Sequence, residues 1–362
     1  ASVTGFVFKM RASTPPPAPP PAPTRPGFDP DVARRFAERY CSSPAHRTSC
    51  PDYPARKYIE RRDSPGPRAR PLKRRDLVTL QKQRWFATEK TDGERHWLFS
   101  EADGCRLLAR DLSVARDVGF VQGLGETILD GELVKASDGA EFFVAFDAVL
   151  CAGEDVGALA NAPARLAAAA AAFEILGAAA PRLGFRAIAK TYHGADFDAL
   201  RGVLTEGRYA DGVRTTDCDG IVLAAARDAH GYYDAACFKY KPRVTLDVRL
   251  KMVAVGDVDA AVANGPHDVT VTTARLDAKA VALLGGARRD RRQPGPIAEC
   301  EYVDGVWRVQ RLRTDKKKPN SLRTAWSVLE SIADATSVDD VAKALAAAWS
   351  APDAAPGARD AR

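Results

Sequence analysis

A lysine that ends an apolar run and precedes an acidic, glycine-bent turn is set for covalent chemistry. Lys90 follows Trp85-Phe86-Ala87 and begins Lys90-Thr91-Asp92-Gly93-Glu94-Arg95, after which His96-Trp97-Leu98-Phe99 resumes a strand-like texture. Its amine can attack phosphorus only when neutral. A free lysine has a pKa near 10.4, so attack at pH 7 needs a depression of about 3 units, roughly 4 kcal/mol of differential interaction. Arg95, Lys239 and Lys241 would supply it if they converge on the amine, with a bound metal ion as a further source; Asp92 would oppose them and hold the ammonium in place. A solvated turn between two strands would carry the same Lys-Asp-Gly, so this segment alone decides nothing.

Five further segments extend the pattern. Thr127-Ile128-Leu129-Asp130-Gly131-Glu132-Leu133 sets Asp-Gly-Glu between strand-like residues, and Phe142-Phe143-Val144-Ala145-Phe146-Asp147 is an apolar run ending in a carboxylate. Asp219-Gly220-Ile221-Val222-Leu223 puts an acid at the head of an apolar strand. In Phe238-Lys239-Tyr240-Lys241-Pro242 the two lysines, two residues apart, point to one strand face. The last is Trp307-Arg308-Val309-Gln310-Arg311-Leu312-Arg313-Thr314-Asp315-Lys316-Lys317-Lys318-Pro319-Asn320.

In order and spacing, the first segment (similar to KxDGxR) and the next four resemble the motifs of the covalent nucleotidyltransferases, the superfamily of DNA ligases, RNA ligases and mRNA capping enzymes. The last resembles the RxRxDKxxPN signature of mRNA capping guanylyltransferases, as do Ile297-Ala298-Glu299-Cys300 and Trp307 before it. The resemblance spans roughly residues 70–333. It implies that Lys90 attacks the α-phosphate of GTP, expels pyrophosphate and carries GMP as a lysyl phosphoramidate, then passes GMP to the 5′-diphosphate end of RNA. It further implies a GTP site of Thr91, Arg95, Arg110, Asp130, Gly131, Glu132, Phe146, Lys190, Lys239, Lys241, Arg313, Asp315 and Lys316. Within that site Lys239 and Lys241 hold the α-phosphate, Phe146 stacks on guanine and Lys190 donates to guanine O6. Arg313, Asp315 and Lys316 meet the terminal phosphates when the second domain closes. Asp219 and then Glu132 are the expected ligands of Mg2+ or Mn2+, hard cations that favour carboxylates.

The elements expected to position these residues form an α+β nucleotidyltransferase domain over residues 55–245 and 322–349, with a five-stranded OB-fold barrel inserted at 246–321. Strands are expected at Leu246–Val255, Asp268–Leu276, Ile297–Val303 and Val306–Arg313, with Asp304-Gly305 as a hairpin turn. Pro163 begins an alanine-rich helix, and Ser337 with Asp340 forms a capping box. Residues 1–50, which include Pro15-Pro16-Pro17-Ala18-Pro19-Pro20-Pro21, read as a flexible tail, as do 350–362. Beginning at Ala1, the chain fits a piece of a longer protein or a tail joined to an upstream module. Two stretches depart from the family: 257–296, rich in arginine and glycine, matches none of its motifs, and Arg70-Pro71-Leu72-Lys73-Arg74 fits the segment before the first motif only loosely.

Composition bounds the rest. A chain of 362 residues, 46% hydrophobic and 28% charged, describes a globular protein of about two domains. Nothing reaches the ~18 uninterrupted apolar residues of a membrane span, so no membrane partner is expected. Seven cysteines without a framework suggest reduced thiols; Cys41, His46 and Cys50 could supply three zinc ligands, with a fourth not evident. The net charge of +6 allows a nucleic-acid partner. The partners expected from the resemblance are GTP and 5′-diphosphate RNA, with RNA triphosphatase and cap methyltransferase modules fused or recruited. The place of action is the nucleus for a cellular protein, otherwise a viral or cytoplasmic site of transcription. The alternatives are an ATP-dependent polynucleotide ligase using the same Lys90 and a catalytically silent RNA-binding relic of the fold.

Overall fold

Residues 27–49, 53–194, 197–226, 237–254, 257–264, 267–275, 295–314 and 316–350 are described by the structure, a computed structural model. Their apolar residues alternate along the strands and therefore build two sheets and a barrel, each with its own core. In the larger sheet, strands Val114–Gly119, Gly104–Ala109, Glu94–Glu101, Thr127–Lys135 and Glu141–Cys151 lie side by side, with Arg186–Ala189 parallel to the last. Leu98, Leu107, Leu129 and Phe143 face the helices Ala162–Ala168 and Ala170–Leu183. Trp97, Phe99, Leu108 and Ile128 face the other way, because successive strand residues alternate between faces.

That second face corrects the expectation of a flexible tail over residues 1–50 for the described part, 27–49. Helix Pro30–Ser42 covers it, burying Val32, Ala33, Phe36, Ala37 and Tyr40 at helical spacing. Its start follows from local chemistry: Asp29 accepts hydrogen bonds from the amides of Asp31 and Val32, and Pro30 takes a first-turn position that needs no N–H. The Phe36 ring lies 5.3 Å from Trp97 and 5.5 Å from Phe99. The proline run and the 286–293 arginine segment lie outside the described residues. Cys50 does too, whereas His46 Nε2 sits 3.2 Å from the Tyr58 hydroxyl and 3.8 Å from Cys41 Sγ.

The smaller sheet holds the lysines. Strand Trp85–Thr91 pairs antiparallel with Thr215–Ala225, which pairs on its other edge with Cys237–Tyr240 and at one end with Arg208–Ala210. Its core includes Trp85, Leu223 and Phe238, closed by Val341, Ala344 and Leu345 of helix Val338–Ser350. The capping box forms as the sequence predicts: the Ser337 amide donates to Asp340 and the Asp340 amide to Ser337 Oγ.

Strands Thr245–Ala254, Asp257–Asn264, His267–Arg275, Val306–Leu312 and Ile297–Val303 close into a barrel around Leu246, Val248, Val262, Ala298, Trp307 and Val309. Asp257–Asn264 is a strand in the stretch where no family motif could be aligned; alanines and aspartates hide its alternation. Asp304 and Gly305, both at positive φ, make the expected hairpin turn. The returning segment 322–349 is not one unit of the first domain. Helix Leu322–Asp334 packs Leu322, Ala325, Leu329 and Ile332 on the barrel core, and Ala335 at φ 46° turns the chain back toward the smaller sheet.

Candidate functional site

Lys90 lies on strand Trp85–Thr91, and its neighbour Thr215–Ala225 carries a bulge that aims Asp219 at it. Cys218 pairs with Thr91 and Gly220 with Lys90, so Asp219 is the extra residue whose side chain leaves the ladder. Gly220 is required there. Its φ is +149°, and a Cβ would sit 2.0 Å from the Tyr240 carbonyl oxygen. Lys90 Nζ consequently lies 2.7 Å from Asp219 Oδ1. Lys241 holds the other oxygen of the same carboxylate. Lys239 shares the lysine face while Phe238 and Tyr240 are buried on the opposite one.

The electrostatics separate the three amines. Burial works to lower Lys90, but the charge and hydrogen bond of Asp219, with Glu132 and Asp92 behind them, prevail and hold its pKa above the ordinary value of 10.5. Lys239 goes the other way, lowered by burial and by the charges of Lys241 and Lys90. Asp219, despite its burial, is held low by Lys241 and Lys90. Without a substrate, then, Lys90 is a cation in an ion pair. The expected depression by Arg95 does not occur here: Arg95 Nε and Nη2 instead grip Asp130 at 2.9 and 2.5 Å, and the guanidinium also donates to the Pro65 and Pro67 carbonyls.

This arrangement sets a pH dependence. On the sequence expectation that Lys90 attacks GTP, the rate at limiting GTP reports groups of the free enzyme, and Lys90 must first lose its proton. That rate should rise close to tenfold per pH unit from neutrality toward pH 9. Asp219→Asn removes the charge that raises Lys90, so the rising limb should move to lower pH even where the maximal rate falls. A pH series of single-turnover labelling measures it; a flat profile, or a shift to higher pH, would contradict the sign.

Around this centre the structure gathers most residues of the expected site. Thr91 Oγ1 donates to Glu132. Lys190, buried, donates to the Glu89 carbonyl at 2.9 Å and lies 3.9 Å from Glu132 Oε2. The half-buried Phe146 ring has Lys190 Nζ at 5.8 Å and the Arg95 guanidinium at 5.5 Å, and its carbonyl accepts from the buried Tyr192 hydroxyl. Glu132 and Arg95 are cross-strand partners.

Other expected members stand elsewhere. Asp130 is fully buried beneath Arg95, where burial pushes its carboxyl up to about 7 against the pull of that guanidinium. It orients Arg95 and offers nothing to a ligand. Gly131 serves packing, since a Cβ there would meet Phe143 at 2.7 Å. Arg110 is exposed on the rim, 3.5 Å from Asp63. Arg313 Nη1 lies 3.0 Å from Asp247 Oδ1 and Lys316 holds Asp247 Oδ2, so both cations rest on their own barrel. Asp315 lies outside the described residues.

Among the described residues no cluster of three or more His, Cys, Asp or Glu could cage a metal ion. Asp219 and Glu132 nevertheless both act on Lys90, and one or two carboxylates completed by substrate phosphates suit Mg2+.

Glu89 and Arg214 have no role among the motif residues, yet they form a buried pair beside the site. Glu89 is completely buried beside Lys90, 2.5 Å from Arg214 Nη2 and accepting from Thr88 Oγ1 at 2.8 Å. Arg214 also reaches Asp211 and Thr216. The only signal for this pair was an acid in an apolar run.

The sequence model of the mRNA capping enzyme catalytic domain matches residues 47–174 of this chain, and that of the mRNA capping enzyme C-terminal domain matches 244–342. The chain belongs to the mRNA capping enzyme family. The first match contains Lys90, Glu132 and Phe146; the second contains the barrel with Asp247, Arg313 and Lys316. This member of the family is accordingly a nucleotidyltransferase. No curated protein sequence matches the chain. Similar solved structures include a mycobacterial DNA ligase D complexed with ATP and MES, 17% identical, covering 65% of this chain and 90% of that one with a TM-score of 0.38. The ligase domain of M. tuberculosis LigD is 16% identical, covering 65% and 90%, with a TM-score of 0.32.

Proposed function

We propose that this capping-enzyme chain is an mRNA guanylyltransferase working through Lys90. The Lys90 nitrogen forms a bond to the α-phosphorus of GTP as the bond to the α,β-bridging oxygen breaks, and pyrophosphate carries that electron pair away. A terminal phosphate oxygen of 5′-diphosphate RNA then attacks the same phosphorus. Nitrogen leaves, the lysine is restored, and the product is a GpppN end. The observation that carries this reading is the convergence of Lys90, Lys239 and Lys241 around Asp219.

An incoming α-phosphate adds negative charge beside Lys239 and Lys241. It competes with Asp219 for Lys241 and can replace that carboxylate as the lysine's partner. Phosphoryl transfer depends on such positioning and neutralisation. A divalent cation held by Asp219 and Glu132 would neutralise phosphate charge and draw Asp219 away from Lys90. Phe146 offers a face for the base, and the buried Lys190 beside it is a donor. A carbonyl at the purine 6-position accepts from it, whereas the amino group of adenine presents hydrogens, which selects GTP over ATP. Arg313 and Lys316 must leave Asp247 to reach terminal phosphates, which requires movement within or of the barrel. Since the RNA acceptor is a diphosphate end, an RNA triphosphatase activity must act before it.

Incubation with metal and α-labelled GTP or ATP, followed by denaturation, tests the proposal. Label from GTP, retained on the protein and chased onto diphosphate RNA, is expected. Label from ATP alone would instead support a ligase, and no label from either would support a silent module.

A further inference from the structure

We propose that the surface formed by Lys317, Lys318, Arg323 and Trp326 binds single-stranded RNA behind its 5′ end. This rests on the guanylyltransferase reading for the identity of the strand. Helix Leu322–Asp334 has two committed faces. Leu322, Ala325, Leu329 and Ile332 pack on the barrel. Ser327, Glu330, Ser331 and Asp334 meet the first domain: Lys73 Nζ donates to the Ser327 carbonyl at 2.6 Å and to Ser331 Oγ at 2.9 Å, and lies 3.2 Å from Glu330. The Arg74 amide donates to Asp334 at 3.2 Å. At 3.6 residues per turn Trp326 falls between these faces, at the seam of the two domains, with Arg323 one turn before it.

Trp326 is 65% exposed among the described residues, whereas Trp85, Trp97 and Trp307 are buried. A single exposed apolar side chain is ordinary; its surroundings give this one meaning. Lys317, Lys318 and Arg323 are exposed, and residues 316–329 contain no acid. The next acid, Glu330, already faces Lys73 and Arg75. Cations interleaved with an open aromatic ring suit a strand whose phosphates are neutralised and whose bases stack.

One chain segment links the surface to the sheet of the lysines. On the barrel side the surface follows Arg313 and Lys316 in the chain, both of which rest on Asp247. The segment that grips the helix follows Pro71, which pairs with Lys239. An RNA whose 5′ phosphates meet the lysines can therefore trail along this seam.

Binding is read from the fluorescence anisotropy of a 5′-diphosphate oligoribonucleotide of about ten nucleotides carrying a dye at its 3′ end, within the site size of one binding module. RNA is expected to bind the wild-type protein and to quench its tryptophan fluorescence, and Trp326→Ala to weaken the anisotropy-derived affinity about tenfold, as loss of one stacked base does. Trp326→Phe should retain most of the affinity. Replacing Lys317 and Lys318 together by alanine should flatten the slope of log affinity against log salt by about 1.4, at about 0.7 per phosphate on a single strand. GTP labelling of Trp326→Ala should stay at the wild-type level. Unchanged RNA affinity in Trp326→Ala would overturn the proposal and leave the surface to a protein partner, and GTP labelling that fell in step with RNA affinity would overturn it as well. If wild-type protein takes no label from GTP, the guanylyltransferase reading fails, but the RNA titration still decides this surface because it needs no nucleotide.

Discussion

Lys90→Ala is expected to abolish covalent labelling from GTP, by about a thousandfold or more, while leaving the protein folded. Alanine removes the only atom that can form the phosphoramidate at this position. The fold tolerates the change because Asp219 keeps Lys241 as its partner, so no buried carboxylate is left without a cation. The test is sharp because the electrostatics of the empty site favour another amine. Lys90 is held above its ordinary value by Asp219, whereas Lys239 is lowered by burial and by Lys241 and Lys90. At pH 7 Lys90 is therefore almost wholly protonated in the empty site. If Lys239 were the nucleophile, Lys90→Ala would retain label and peptide mapping would find it on Lys239. Labelling of Lys90 with loss in Lys90→Ala would show instead that substrate binding reverses the order of the two lysines.

Arg214→Met is expected to destabilise the protein by about 3–5 kcal/mol, because it leaves the Glu89 carboxylate buried and uncompensated. Both side chains are almost wholly inaccessible, at 1% and 0% exposed. The substitution should also slow labelling, since Glu89 precedes Lys90 and its carbonyl holds Lys190. Arg214→Met combined with Glu89→Gln should recover much of the lost stability, because it removes the charge along with its partner. Urea unfolding of the three variants measures both effects. A loss below about 1 kcal/mol in the single variant would mean that solvent reaches Glu89 and that the pair is not a buried anchor.

Four of the five barrel strands, the apolar strands of the first domain and the starts of the alanine-rich and last helices were legible in sequence because their signals are local. Alternation marks the strands, Asp304-Gly305 marks a hairpin, and Ser337 with Asp340 marks a helix start. Helix Pro30–Ser42 was hidden by the proline-rich composition before it, although its apolar spacing was present in the chain. The division of segment 322–349 was also not legible. Both helices are amphipathic, and only contact with Leu246 and Trp307 on one side or with Trp85 and Leu223 on the other distinguishes their cores.

For the site, residue types and their order already specify the chemistry on offer: one lysine before a turn, a lysine pair, the four acids Asp130, Glu132, Asp219 and Asp315, and an aromatic strand residue. Residue types and spacing suffice for that, because reactive groups are carried by side chains and motifs record their order. Which charges meet was decided only by the tertiary structure. Asp219 reaches Lys90 through a bulge in a neighbouring strand, Arg95 is committed to buried Asp130, and Arg313 with Lys316 rests on Asp247. A protonation state depends on burial and on charges a few ångströms away, and those neighbours lie tens to more than a hundred residues off along the chain.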